Sequence, residues 1–65
     1  MNGIRKNNVG QWVAIRNGKP VAWATGPGAK AKAIRAAGTN RVLSEAELRL
    51  RPSTLAAVDA ACVAA

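Results

Sequence analysis

The stretch VGQWVAIRNGKPVAWATG, residues 9–26, holds both tryptophans of a chain that contains no Phe and no Tyr. Asn17-Gly18 lies within it between two apolar runs of period two. A two-residue hairpin turn needs φ > 0 at both central positions, which Asn and Gly adopt most readily. Residues 9–16 and 19–25 are therefore predicted to pair antiparallel. With Asn17 and Gly18 as the loop, Arg16 faces Lys19, Ile15 faces Pro20, Ala14 faces Val21, Val13 faces Ala22 and Trp12 faces Trp23. Pairs alternate outward from the turn, so Ile15 and Pro20 form a non-hydrogen-bonded pair, where proline's missing N–H is no loss. Pro20 also marks the start of the second strand as a sheet edge.

Alternation gives this hairpin two faces. One carries Val9, Val13, Ile15, Pro20, Ala22 and Ala24, compact groups suited to lie under a helix. The other carries Trp12, Ala14, Val21 and Trp23, bordered by Arg16 and Lys19. Three roles are open to the tryptophan face: the main core, as the only large rings available; a stacking platform for single-stranded nucleic acid; or a protein or dimer contact.

Around the hairpin, a chain of 65 residues makes at most one domain. Such a chain buries only about 60% of the surface its unfolded form exposes. One cysteine, Cys62, and no histidine exclude an internal disulfide and a Cys/His zinc site. No metal or cofactor is expected, and self-association is the remaining route to extra stability. Much of the apolar content is alanine, so the core is thin. Ten Lys and Arg against three acids give a net charge of +7, which attracts polyanions. The opening MNGIRKNNVG has no apolar core of a signal peptide, and no run of apolar residues is long enough to span a membrane. A cytoplasmic location without membrane contact is the resulting expectation, and a lone thiol fits it.

After the hairpin, Thr25 or Gly26 can cap a helix, Pro27 suits its first position, and Gly38 suits its left-handed end. A helix over 27–37 is predicted, with Ala29, Ala33, Ala36 and Ala37 as one stripe, Ile34 at its margin, and Lys32 and Arg35 opposite. Lys30 lies near the apolar edge. The glycine-rich turn GPGAKAK lacks the spacing of a phosphate-binding loop; a plain linking turn or an anion cradle at the helix start are its two readings. Residues 44–51 are ambiguous. Ser44-Glu45-Ala46-Glu47 matches a capping box, whereas Ala46, Leu48 and Leu50 alternate with Glu47, Arg49 and Arg51 as in a strand. The alternation predicts a third strand over 46–51 ended by Pro52, with a helix as the alternative. Ser53 or Thr54 then caps a C-terminal helix whose stripe is Leu55, Val58, Ala61, Cys62 and Ala65, with Cys62 as a buried thiol. The fold class is α+β: a basic N-terminal segment over 1–8, then one ββαβα domain over 9–65, its small antiparallel sheet packed on a short helix.

GQWVAIRNGKPVAWATG, a helix ending at Gly38, and ELRLRP together resemble a family of very short bacterial and archaeal domains of unknown function. Their pattern is W-V-A, a polar turn with Gly, V-A, a small helix and a last strand ending at Pro. The resemblance covers about residues 9–52 and implies a ββαβ unit; it implies no active site. The alanine-rich helix, the GPG interruption and the added C-terminal helix depart from the pattern.

Enzymatic chemistry has little material here. General acid-base work relies most often on His or a tuned carboxylate, and Glu45, Glu47 and Asp59 are the only acids; Cys62 and Ser44 have no His to activate them. A non-catalytic binding protein is expected, with no small-molecule substrate. Its first candidate partner is nucleic acid or a nucleoprotein complex, contacted by Arg5, Lys6, Arg16, Lys19, Lys30, Lys32 and Arg35 on phosphates, with Trp12 and Trp23 stacking. The alternative is a phage or mobile-element accessory protein that acts on a host protein, inhibits a defence system or sits in a virion, binding an acidic protein surface. The motifs of common nucleic-acid readers are missing.

Overall fold

The computed structural model describes residues 1–59. In chain order the elements are β1 (Gly3–Lys6), β2 (Trp12–Arg16), β3 (Lys19–Ala24), α1 (Ala29–Ala37), α2 (Glu45–Arg49) and α3 (Pro52–Asp59). The strands form one antiparallel sheet in the order β1-β2-β3, and the fold is α+β.

Asn17 (φ 55°) and Gly18 (φ 76°) both take the left-handed conformation that the turn demands. Arg16 pairs with Lys19 and Ile15 with Pro20, as the sequence predicts. Beyond that point the register shifts between Ala14 and Ile15, so Ala14 pairs with Ala22, Val13 with Trp23 and Trp12 with Ala24. Val21 is the extra residue of a β-bulge, 50% exposed. A shift of one residue carries every later side chain to the other face. The predicted Trp12–Trp23 pair therefore does not form.

The shift places one ring in each of two cores. Ile4, Ala14, Ala33 and Ala37 form a cluster with Trp12, Ala22, Ile34 and Ala36 packed against it. Val13, Ile15, Leu43, Leu48 and Val58 form the other, with Trp23, Leu55 and Met1 at its border. Adjacent residues of β2 belong to different clusters, so α1 covers one face of the sheet and α2 and α3 cover the other. The sequence put α1 over Val13 and Ile15; it lies over Ala14 instead. Alanine on both helix and strand allows that close approach.

Gly3–Lys6, read from sequence as part of a basic N-terminal segment, pairs along β2 from Gly3↔Ile15 to Lys6↔Trp12. The predicted strand over 46–51 is helix α2. The Ser44 hydroxyl accepts a hydrogen bond from the Glu47 N–H at 3.2 Å, so the capping box prevails over the alternation. Of the alternating leucines, Leu48 is fully buried and Leu50 is 83% exposed.

Between α1 and α2 the chain crosses to the far edge of the sheet. Val42 makes a parallel bridge to Ile4: the Ile4 N–H donates to the Arg41 carbonyl at 2.8 Å and the Leu43 N–H to the Ile4 carbonyl at 2.9 Å. Gly3 permits this approach, since a Cβ there would stand 2.5 Å from Leu43 Cγ and 2.8 Å from the Arg41 oxygen.

α1 begins at Ala29 behind a left-handed Gly28, two residues later than predicted, and ends as expected at a left-handed Gly38 whose N–H donates to the Ile34 carbonyl. Ser53 and Thr54 were expected to cap α3 but lie inside it, with Pro52 at its first position. The buried Thr54 hydroxyl instead donates to the Gly18 carbonyl at 2.6 Å and ties α3 to the hairpin turn. Of the predicted stripe, Leu55 and Val58 meet the core; Ala61, Cys62 and Ala65 lie outside the described residues.

Candidate nucleic-acid interface

Charge is divided along the chain. Residues 1–40 contain seven Lys and Arg and no acid, whereas residues 41–65 contain three Arg and all three acids. The fold turns this division into a difference between sides. In the second half, Arg41 pairs with Glu47 and Arg49 with Glu45, so α2 and its approach are locally neutralised on the face away from α1. Counting charge by halves would have exposed this without a structure; total composition hides it.

Six of the seven early cations sit on the α1 side. Lys6 follows Ile4 by two residues in β1, so it shares the face under α1, and it stands directly opposite Trp12. Arg16 lies two residues beyond Ala14 on the same face of β2 and pairs with Lys19 beside the turn. Lys30, Lys32 and Arg35 are exposed on α1. Lys6, Arg16, Lys19, Lys32 and Arg35 have no ion-pair partner among the described residues.

Trp12 is held between sheet and helix. The Lys30 ammonium stands 5.4 Å from the centre of its ring, within the range of a cation–π attraction. Lys6, Trp12 and Lys30 thus make one cluster at the start of α1, and Arg16 with Lys19 makes a second at the hairpin turn. Two residues predicted to belong with them do not. Arg5 alternates to the opposite face, where its guanidinium donates to the Leu43 carbonyl at 3.2 Å. Trp23 packs against the core beneath α2 and α3, and its ring N–H is buried with no hydrogen-bond partner among the described residues.

One cation escaped the sequence reading. The Arg51 guanidinium lies 3.0 Å from where a Gly18 Cβ would be, which brings it to the hairpin turn. Nothing local to Arg51 signals this, because the contact is made by the docking of α3. The described residues enclose no pocket, contain no cluster of His, Cys, Asp and Glu able to hold a metal ion, and include no helix long and apolar enough to cross a membrane. No protein-family model matches the chain, and no match is found among curated proteins or solved structures. The likeness to the short-domain family rests on the residues of 9–52 alone, and the last strand that it implies is α2.

Proposed function

We propose that this chain is a non-catalytic binding protein whose ligand is nucleic acid, held through the cations of α1 and of the sheet around it. The observation that carries this reading is the one-sided excess of positive charge: Lys6, Arg16, Lys19, Lys30, Lys32 and Arg35 share a side, while every acid follows Asn40. Scattered surface lysines serve solubility in any basic protein; six on one side, none with an ion-pair partner among the described residues, make a field that concentrates a polyanion. Phosphate contacts supply most non-specific affinity, and each one lost reduces the salt dependence in proportion.

The test is fluorescence anisotropy of a labelled oligonucleotide across salt concentrations. Six phosphate contacts give a slope of about −5.4, or a loss of about 1,800-fold between 50 and 200 mM salt. The Lys32→Glu/Arg35→Glu double variant should lose most of the affinity, and Arg49→Ala little. Absence of binding at 50 mM salt, or equal losses in both variants, contradicts the proposal.

Leu50 favours a second reading, contact with a protein. Its apolar side chain is left 83% exposed between α2 and α3, and burial against a partner's apolar surface would be favourable. A defined partner that survives nuclease treatment of a lysate and is lost with Leu50→Glu would support it.

A further inference from the structure

The positions of the two tryptophans distinguish between forms of nucleic acid. This step rests on the nucleic-acid reading above. Binding of a single strand without sequence preference relies on successive bases stacked on rings along one track. Trp12 and Trp23 cannot form such a track, since they belong to different cores on opposite faces of the sheet, each face being covered by helix. The chain offers no Phe, Tyr or His in their place. One face of Trp12 is also taken by Lys30, so a base stacked there must first displace the ammonium. Single strands are left with little beyond phosphate attraction.

The cations have a regular placement. α1 has nine residues, about 13 Å of helix at 1.5 Å per residue. Along β2 the four-residue step from Trp12, beside Lys6, to Arg16 covers about 13 Å as well. The first turn of α1 lies at the Trp12 end, and its later residues Ala33 and Ala37 lie over Ala14 and Ile4 toward the other. A short helix with exposed Lys32 and Arg35 is thus flanked at its two ends by cations of the sheet. Its exposed Ala31 adds no bulk between them. The major groove of B-form DNA is about 12 Å wide and admits an α-helix. The A-form groove of duplex RNA is too narrow for side chains to enter.

We infer that the ligand is B-form duplex DNA, bound without sequence preference, with α1 set toward the major groove and Lys6, Lys30, Arg16 and Lys19 on the flanking phosphates. Lys32 and Arg35 contact phosphates from the helix itself.

The test uses the full chain and three fluorescein-labelled probes of equal length: single-stranded DNA, the DNA duplex and the RNA duplex, at 100 mM NaCl. Tryptophan emission is followed in the same titrations, and the circular dichroism of each variant is recorded. The DNA duplex should bind at least about tenfold tighter than either competitor, with tryptophan emission nearly unchanged. Lys32→Ala and Arg35→Ala should each lower the salt slope by about 1. Tighter binding of the single strand, with tryptophan quenching, overturns the duplex assignment and keeps the nucleic-acid reading. Equal binding of the RNA duplex overturns both the B-form assignment and the major-groove placement, and keeps the nucleic-acid reading. Failure of all three probes to bind at low salt removes the nucleic-acid reading and this inference with it.

Discussion

Replacing Asn7 with alanine should be among the most damaging polar substitutions in this protein. Asn7 is only 7% exposed and uses its side chain at both ends. Its Oδ1 accepts from the Val9 N–H at 3.2 Å and the Gln11 N–H at 2.8 Å, closing the β1–β2 turn. Its Nδ2 donates to Gln11 Oε1 at 3.0 Å and to the Val58 carbonyl at 3.1 Å, joining that turn to α3. A net hydrogen bond contributes about 0.5–1.5 kcal/mol, and a buried group left unpaired costs about 1–3 kcal/mol. The Val58 bond is buried, whereas the other three are partly open to water. Asn7→Ala should therefore cost about 2–4 kcal/mol, counting the Val58 carbonyl in full and the others in part. A domain of this size has a total stability of about 3–10 kcal/mol at 0.05–0.15 kcal/mol per residue, so the substitution would remove a large share of it. Urea denaturation followed by circular dichroism measures the loss, and a thermal scan should show a fall of about 8–30 °C at 4–8 °C per kcal/mol. Asn7→Asp separates the two ends of the side chain, because a carboxylate still accepts from Val9 and Gln11 but sets an oxygen against the Val58 carbonyl. The reasoning fails if Asn7→Ala costs under about 0.5 kcal/mol, the scatter expected of an ordinary surface change.

Gly3→Ala should destabilise by about 1–3 kcal/mol, as overpacking does, because the new methyl meets Leu43 Cγ at 2.5 Å and the Arg41 oxygen at 2.8 Å; an unchanged urea midpoint would show that this edge relaxes freely. Thr54→Val leaves the Gly18 carbonyl without its 2.6 Å donor and should cost about 1–3 kcal/mol, while Thr54→Ser, which keeps the hydroxyl, should cost clearly less in the same assay. Trp23→Ala should remove about 3–5 kcal/mol, the usual cost of deleting a large core ring, read by the same denaturation; a folded variant of near-native stability would mean that Trp23 is not part of the core.

The hairpin was legible because its signal is local: Asn17-Gly18 fixes a turn geometry, and the turn fixes the pairs nearest to it. The bulge at Val21 was not. Ala22 and Val21 are equally acceptable partners for Ala14 in a strand, and only packing on both faces favours Ala22, which sends Trp23 to one core and leaves Trp12 in the other. β1 was hidden for a similar reason, since Gly3-Ile4-Arg5-Lys6 offers a single apolar residue and reads as charge until Ile4 is seen under α1. Over 44–51, both the capping box and the strand alternation were visible. The cap won because the Ser44 hydroxyl satisfies the Glu47 backbone donor locally, and the helix still buries Leu48 completely. At the candidate interface, the cations of α1 and of the hairpin turn were legible as exposed charges. Arg5 and Trp23 were misplaced because their faces follow from β1 pairing and from the bulge. These two features are tertiary, and they account for the loss of the paired tryptophan platform.

Backbone amide chemical shifts of isotope-labelled protein, followed by NMR during titration with a short DNA duplex, test the central claim most directly. The account predicts that the shifted amides cluster in α1, near Lys6 and around Arg16–Lys19, with α2 and α3 nearly unmoved. Shifts concentrated in α2 and α3 with α1 unchanged, or no shifts at low salt, would contradict it.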